Sequence, residues 1–505
     1  MGGIDEDDAL DLLESLADKS LLTPVRGHGE PRYRMLETLR EFGTEQLVES
    51  GPVTMVRRTH LAHVVRMLEH HAPLLRGPEQ LRSLDLIDVE WGNVAAALRF
   101  AIDVHDRAGA GQILQTAAWY WAMRGQEDEL AAWIGEVMAL PPSDDPASEV
   151  LLHGLAIVGE MSRSGRTASA DEHVAAILAA YDTGRAHGHW VEIVMHVVGY
   201  FGRLGGRTLP EPSDLWTRSV ISIMHVVLGD NAGTGPADPE KLRFAIEGFR
   251  EVGDRSGLAS ALTSFGSERA LDGHLDEAVA TWREAQGMLE ELGAGEDLSF
   301  VRSRIIGVRL VTAHRDELDA LRAELLREEA KVSHERGRWI LRATLAEIEV
   351  LAGRPQEAVL MLEEQAAEDG GASLGSSQAR AALLGFLARA YVAAGRLDDA
   401  QETVRKAFQV GELVEDMPIL AGVARAVAHL SRARGHTALA ARQLGASDQL
   451  RGRQDLSVRD GLELTATLRD ELGPEGFERE LEPFGTQLVT QRRGELEPVA
   501  DRQVL

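Results

Sequence analysis

A glycine recurs about every forty residues along this chain, and each one stands between two amphipathic helical patterns. Gly125, Gly165, Gly206, Gly235, Gly273, Gly353, Gly395 and Gly435 form the series, with His314 in the place between Gly273 and Gly353. The steps are 40, 41, 29, 38, 41, 39, 42 and 40 residues. A period of this size predicts stacked helical hairpins, because one hairpin is too small to bury its apolar face except against its neighbours. Stacking makes an extended surface, so the pattern points to binding before it points to chemistry.

Composition agrees with helices. Hydrophobic residues make up 44% of the 505, enough for a core, while aromatics are only 5%. Abundant alanine suits closely packed helices better than a sheet. The formal net charge of −28 repels phosphate backbones, so direct nucleic-acid binding is not expected. Cysteine is absent, which excludes disulfides and thiolate chemistry. No apolar run approaches the roughly 20 residues of a membrane span, and the acidic stretch Asp5 to Asp8 is unlike a signal peptide. A cytoplasmic location without membrane association is therefore expected.

Leu10, Leu13, Leu16 and Ala17 share one helical face over residues 8–22. Thr23 to Met35 then reads as two short strands around the turn residues Gly27, His28 and Gly29, and Leu36, Leu39, Phe42 and Leu47 return to helical spacing up to Gly51 and Pro52. Helix, hairpin and helix in this order predict the tail of a winged-helix domain. Further helices are expected from Pro52 to near Pro73 and from Asp88 to Ile102, with repeats beginning near residue 110.

The clearest repeat runs from Leu258 to Leu292, where Leu275, Ala278, Val279, Trp282, Ala285, Leu289 and Leu292 follow three-and-four spacing. Gly273, Ala278, Trp282 and Ala285 recur at the same offsets as Gly395, Ala400, Val404 and Ala407. This resembles the tetratricopeptide repeat, in units longer than the usual 34 residues. The expected fold is all-α: a TPR-like α-solenoid preceded by a partial winged-helix domain with one small β-hairpin. Its expected divisions are a winged-helix part at 1–51, connecting helices at 52–109, an N-terminal sub-array at 110–234, a C-terminal sub-array at 235–485 and a polar tail at 486–505.

The order of DLLESLADKSLL, RYRMLETLREFGTEQL, DVEWGNVAAALRFAI and AAWYWAMRGQ resembles the C-terminal half of actinobacterial STAND-type ATPase regulators of the AfsR/SARP and LuxR-like families. In that family a nucleotide-binding NB-ARC module precedes a winged helix and helical repeats. The resemblance implies a non-catalytic sensor in transcriptional control, with a protein partner or small effector on the repeats and an NB-ARC-type ATPase upstream or in trans. The other reading is a free-standing TPR-like interaction scaffold unrelated to transcription. No phosphate loop lies within the chain: its four lysines follow Asp18, Glu240, Ala330 and Arg405, whereas the loop requires Gly-Lys. Where NB-ARC proteins often carry Met-His-Asp, this chain has Met35, Leu36 and Glu37, and leucine cannot make the histidine's polar contact.

No catalytic residue, cofactor or metal is therefore expected. Gly371 to Gly375 fits Gly-x-Ser-x-Gly, but that motif works only on a strand-to-helix turn and a helical pattern precedes it. His60, His63, His70 and His71 lack a carboxylate at ligand spacing. Two surfaces remain as candidates. Arg32, Arg34 and Glu37 are placed to contact a neighbouring domain. Trp119, Tyr120, Trp121 and Trp133 form the densest aromatic group, and since adjacent helical positions diverge by about 100°, some are expected to face a partner. Asn93 is expected to cap or pack. Glu37, Glu41, Glu45 and Glu49 make an acidic stripe that would repel DNA.

Overall fold

The computed structural model describes residues 6–25, 32–51, 53–164, 170–234, 236–368, 377–414 and 416–481. Among these it contains 23 α-helices and one two-stranded sheet. The chain opens with α1 (Glu6–Asp18), β1 (Leu22–Val25), β2 (Arg32–Met35) and α2 (Glu37–Ser50). The strands pair antiparallel with Leu22 opposite Met35 and Val25 opposite Arg32. Gly51 ends α2 at φ 91°, a left-handed cap that favours glycine. The turn predicted at Gly27 to Gly29 lies outside the described residues.

Two longer helices follow, α3 (Val53–His71) and α4 (Gln80–Asp103). The latter starts two turns before the expected Asp88, because Leu84 and Ile87 extend its buried face.

The repeats are helical hairpins: α5 (Arg107–Arg124) with α6 (Glu127–Met138), then α7 (Pro146–Ser164) with α8 (Ala170–Tyr181). After α9 (His189–Tyr200) come α10 (Leu215–Asn231) with α11 (Pro239–Val252), α12 (Arg255–Leu271) with α13 (Leu275–Leu292) and α14 (Gly295–Thr312) with α15 (Arg315–Glu329). The array continues through α16 (Glu335–Leu351) with α17 (Pro355–Glu368), α18 (Ser377–Ala393) with α19 (Leu397–Val414) and α20 (Met417–Ala433) with α21 (Thr437–Leu450). Last come α22 (Arg459–Leu472) and α23 (Pro474–Leu481). This is an all-α solenoid.

Gly125, Gly273, Gly353, Gly395 and Gly435 fall at turns inside hairpins, as the period predicts. Gly165 and Gly235 lie outside the described residues. Gly206 does not turn a hairpin, because α9 has no second helix and residues 201–214 run on to α10 as a loop. That unpaired helix accounts for the 29-residue step. One buried apolar cluster runs from Leu61 to Val308, across residue 235, where the sequence predicts a division between sub-arrays.

The small-residue positions work as close-packing sites. Ala278, Ala285, Ala400, Val404 and Ala407 are fully buried, as is Trp282. A Cβ at Gly266 on α12 would overlap the Trp282 indole, so Gly266→Ala should destabilise by about 1–3 kcal/mol through overpacking. On the exposed face of α13, Gly287 has open space, and Gly287→Ala should gain about 0.5–1 kcal/mol from helix propensity. Urea midpoints for the two variants are expected to move in opposite directions. A gain at Gly266 would show that the indole has room to retreat.

The spiral closes on itself. Helix α10 packs against α20, α7 against α18 and α19, and α14 against α22, although these partners are far apart in sequence. Among the described residues no helix is long and apolar enough to cross a membrane.

Candidate functional site: a chamber inside the spiral

Four first helices of consecutive hairpins, α14, α16, α18 and α20, present one face each to a half-enclosed cavity of about 510 Å³. Helix α21 and the segment 451–458 form its remaining wall. The lining positions recur at three-and-four spacing: Glu296, Phe300, Arg304 and Gly307 on α14, then Arg336, Ile340, Ala343 and Glu347 on α16. These helices therefore bury one face in the hairpin stack and offer a second, mixed polar and aromatic face to the chamber.

The closing segment is fastened by polar contacts that span much of the chain. Arg451 pairs with Asp230, and Arg453 pairs with Glu268 and, at 2.7 Å, with Asp272. The Leu456 amide donates to the Leu271 carbonyl at 3.2 Å. Arg459 Nη1 donates to the carbonyls of Leu310 and Ala313 at 3.2 and 2.7 Å, placing a cation at the C-terminal end of α14, where the helix dipole favours it.

Most charges on the wall are matched internally. Arg336 pairs with Glu296 at 3.1 Å. Asp460, beside the chamber at the start of α22, takes Arg389 at 2.8 Å, Arg425 at 3.4 Å and His429 at 3.2 Å. Burial would raise the Asp460 carboxyl, but Arg389 and Arg425 outweigh it and hold it well below the usual carboxylate range. Glu347, 3.6 Å from Arg389, is pushed up by burial, with Arg389 opposing.

Two wall groups of opposite sign are not matched. Arg304 stacks its guanidinium 4.9 Å from the centre of the Phe300 ring, open to the chamber, with no ion pair or side-chain hydrogen bond among the described residues. Burial, then Arg451, lowers its pKa from the ordinary guanidinium value, with Asp455 and Asp230 opposing. Asp448 on α21 is half-buried where Arg304 is exposed, and it too has no ion pair or side-chain hydrogen bond among the described residues. Burial, assisted by Asp455 and opposed by Arg425, pushes its carboxyl up to about 7. The chamber thus offers a donor fork and a carboxyl among apolar and aromatic surfaces, the mixture that lines small-molecule sites.

The residues singled out in the sequence lie elsewhere. Arg32 pairs with Glu90 of α4 at 2.7 Å, so its contact is within this chain. Glu90 also accepts from Asn93 at 2.6 Å, which gives Asn93 a side-chain pairing role. Arg34 is exposed, and Glu37 is exposed beside Arg40 at 2.7 Å.

Tyr120 and Trp121 correct the expectation that they face a partner, since both are buried against Trp91, with ring centres 4.8 and 5.0 Å away. The Tyr120 hydroxyl donates to Asp88 at 2.8 Å. The physical reason is that α5 packs against α4 as well as against α6 and α7, so a wide arc of α5 is covered. Trp119 is half-buried beside Trp216 and Trp190, at 5.3 and 6.4 Å, and Trp133 is half-buried beneath the Arg99 guanidinium at 4.6 Å.

The Gly371 to Gly375 motif lies outside the described residues. Sequence reasoning missed the chamber, although the stripe Glu296, Phe300, Arg304 was a visible signal: polar and aromatic residues one turn apart on a helix that also has an apolar face.

No protein-family model matches the chain, and no curated protein matches its sequence. Among solved structures it is similar to the APC/C hetero-tetramer Cut9-Hcn1, at 14% identity over 81% of this chain and 74% of that one, with a TM-score of 0.38. It is also similar to Naa15/Naa10 bound to HypK-THB, at 14% identity over 83% and 67% of the two chains, with a TM-score of 0.20. The helical-repeat fold stands on the hairpins described above, and what such a fold supplies is an extended interaction scaffold.

Proposed function

We propose that the chain is the non-catalytic sensor and regulatory part of a STAND-type transcriptional regulator. Its repeats take a protein or small effector, and its N-terminal segment, a partial winged helix, docks an NB-ARC-type ATPase module upstream or in trans. The observation that carries this reading is the unfinished core of that segment. Leu36, Phe42 and Val48 are 61%, 60% and 56% exposed, and Leu10, Leu12, Val25, Met55 and Val56 are exposed around them. Exposed large apolar side chains occur singly along the repeats, at Val158, Phe201 and Leu360 for example, whereas in this short segment they are concentrated on all sides of α2, as expected of an element whose covering is supplied by another protein. The exposed acidic row Glu37, Glu41, Glu45 and Glu49 beside it argues for a protein neighbour over nucleic acid.

Affinity purification of the tagged chain from its native host tests the proposal. An NB-ARC-type ATPase is expected to copurify, and Phe42→Asp with Val48→Asp should lower its recovery about fivefold or more, as loss of a buried interface anchor does, with helicity unchanged. Recovery of partners without any nucleotide-binding module would instead establish the free-standing scaffold.

A further inference from the structure

The chamber identifies the effector's chemistry more closely. A wall whose charges were all paired would need nothing from outside. Here Arg336 with Glu296, the cluster of Arg389 and Arg425 around Asp460, and Arg451 with Asp230 account for the neighbouring guanidinium groups. Arg304 on α14 and Asp448 on α21 are left over in the same lining, one of each sign. Both feel the charge of Asp455, which is itself engaged at 2.9 Å by the Ser457 amide. Their separation exceeds ion-pair distance, since no such pair forms between them.

We propose that the chamber binds a small zwitterion with an apolar body, an amino acid or short peptide. Its carboxylate lies on the Arg304 guanidinium, its ammonium lies on Asp448, and its side chain lies against Phe300, Trp339 and Phe386. A lone anion would satisfy Arg304 and leave Asp448 unpaired in a partly desolvated wall, and a lone cation would do the converse. A zwitterion matches both and leaves the chamber's charge balance unchanged. The planar guanidinium fork suits a carboxylate, and Phe300 beneath it fixes the fork's orientation. The volume of about 510 Å³ lies in the range of small-molecule sites and admits a ligand of a few residues at most. This inference deepens the sensor reading by naming its effector class, but it is measured on the isolated chain and does not depend on any ATPase.

Isothermal titration of the full chain with phenylalanine, leucine and leucyl-phenylalanine, against 3-phenylpropanoate and 2-phenylethylamine, provides the test. At least one zwitterion is expected to bind. The two singly charged analogues should each bind about tenfold or more weakly, because each leaves one wall group unpaired. Arg304→Met should reduce zwitterion binding to the level of the amine, and Asp448→Asn to the level of the acid, with circular dichroism unchanged. Arg304→Lys keeps the charge without the fork and should retain part of the affinity, which separates recognition from a folding defect. Failure of all three zwitterions to bind, equal binding of a singly charged analogue, or indifference to both substitutions overturns the assignment. The N-terminal docking experiment can succeed or fail independently of this result.

Discussion

Replacing Arg107 with alanine is expected to cost about 3–5 kcal/mol and to loosen the first two hairpins. Arg107 opens α5 and is only 4% exposed. Its Nε and Nη2 donate to Glu149 of α7 at 2.9 and 2.6 Å, while Nη1 donates to the carbonyls of Val137, Met138 and Leu140 at 3.3, 3.2 and 2.8 Å. One side chain therefore joins three helices and satisfies the carbonyls at the end of α6. Glu149 is further held by the amide and hydroxyl of Ser143, both at 2.9 Å. Truncating the arginine strands this carboxylate in a buried setting, which costs more than the pair itself contributes. Arg107→Lys should recover little, because an ammonium cannot serve the carboxylate and the carbonyls from one planar fork. Urea denaturation followed by circular dichroism measures the effect. A loss below about 1 kcal/mol would mean that water replaces the guanidinium, as at a surface pair.

The second large effect is a loss of stability in mild acid. Burial, reinforced by His173, pushes His153 down to about 4, and burial, reinforced by Arg76, does the same to His189. Glu149 opposes the shift at His153 and Asp214 at His189. His153 sits with its Nδ1 2.8 Å from Nδ1 of His173, on facing helices α7 and α8. Both lowered histidines are neutral in the fold at pH 7. The unfolded chain takes up protons near pH 6.5, so between about 6.5 and 4 it binds more protons than the native state and stability falls as pH falls. Above about 7 the contribution is complete and flat. A lowering of this size corresponds to about 3 kcal/mol per histidine, and partial exposure of both rings reduces it to about 2 kcal/mol each. Carboxylates held low by arginine, such as Glu149 and Glu349, lose their contribution only at still lower pH. Asp448, raised to about 7, acts in the opposite direction, so the expected result is a difference: urea midpoints from pH 7.5 to 4.5 should fall less in a His153→Gln, His189→Gln double variant than in the native chain. An unchanged slope would assign the acid sensitivity to other groups.

The hairpins were legible because their burial is local. In α13 the residues Ala278, Trp282, Ala285, Leu289 and Leu292 are all buried on the face that their spacing predicts. The same holds for Ala400, Val404 and Ala407 in α19. Periodicity reports which side of a helix meets its own neighbours, and in a repeat array that is most of the fold.

It does not report closure. Contacts such as Arg451 with Asp230 join residues 221 apart, and surface arginines and aspartates carry no mark of a distant partner. The chamber was hidden for a related reason. Helices α14, α16, α18 and α20 are covered on one face and line a cavity on another, so their inward residues resemble the solvated side of an ordinary amphipathic helix. The aromatic group at 119–121 misled in the opposite direction, because α5 meets neighbours on several sides and rings a third of a turn apart still find cover.

The fastening of 451–459 across earlier hairpins has a consequence for biosynthesis. Residues 230, 268, 272, 310 and 313 leave the ribosome some 146 to 221 residues before the groups that grip them. At about 5–20 residues per second, nascent hairpins wait on the order of 10–40 s with their inner sides uncovered. During that interval the growing polypeptide is an open spring whose chamber lacks its last wall. The chamber is therefore completed only late in translation, when residues 451–459 reach their partners.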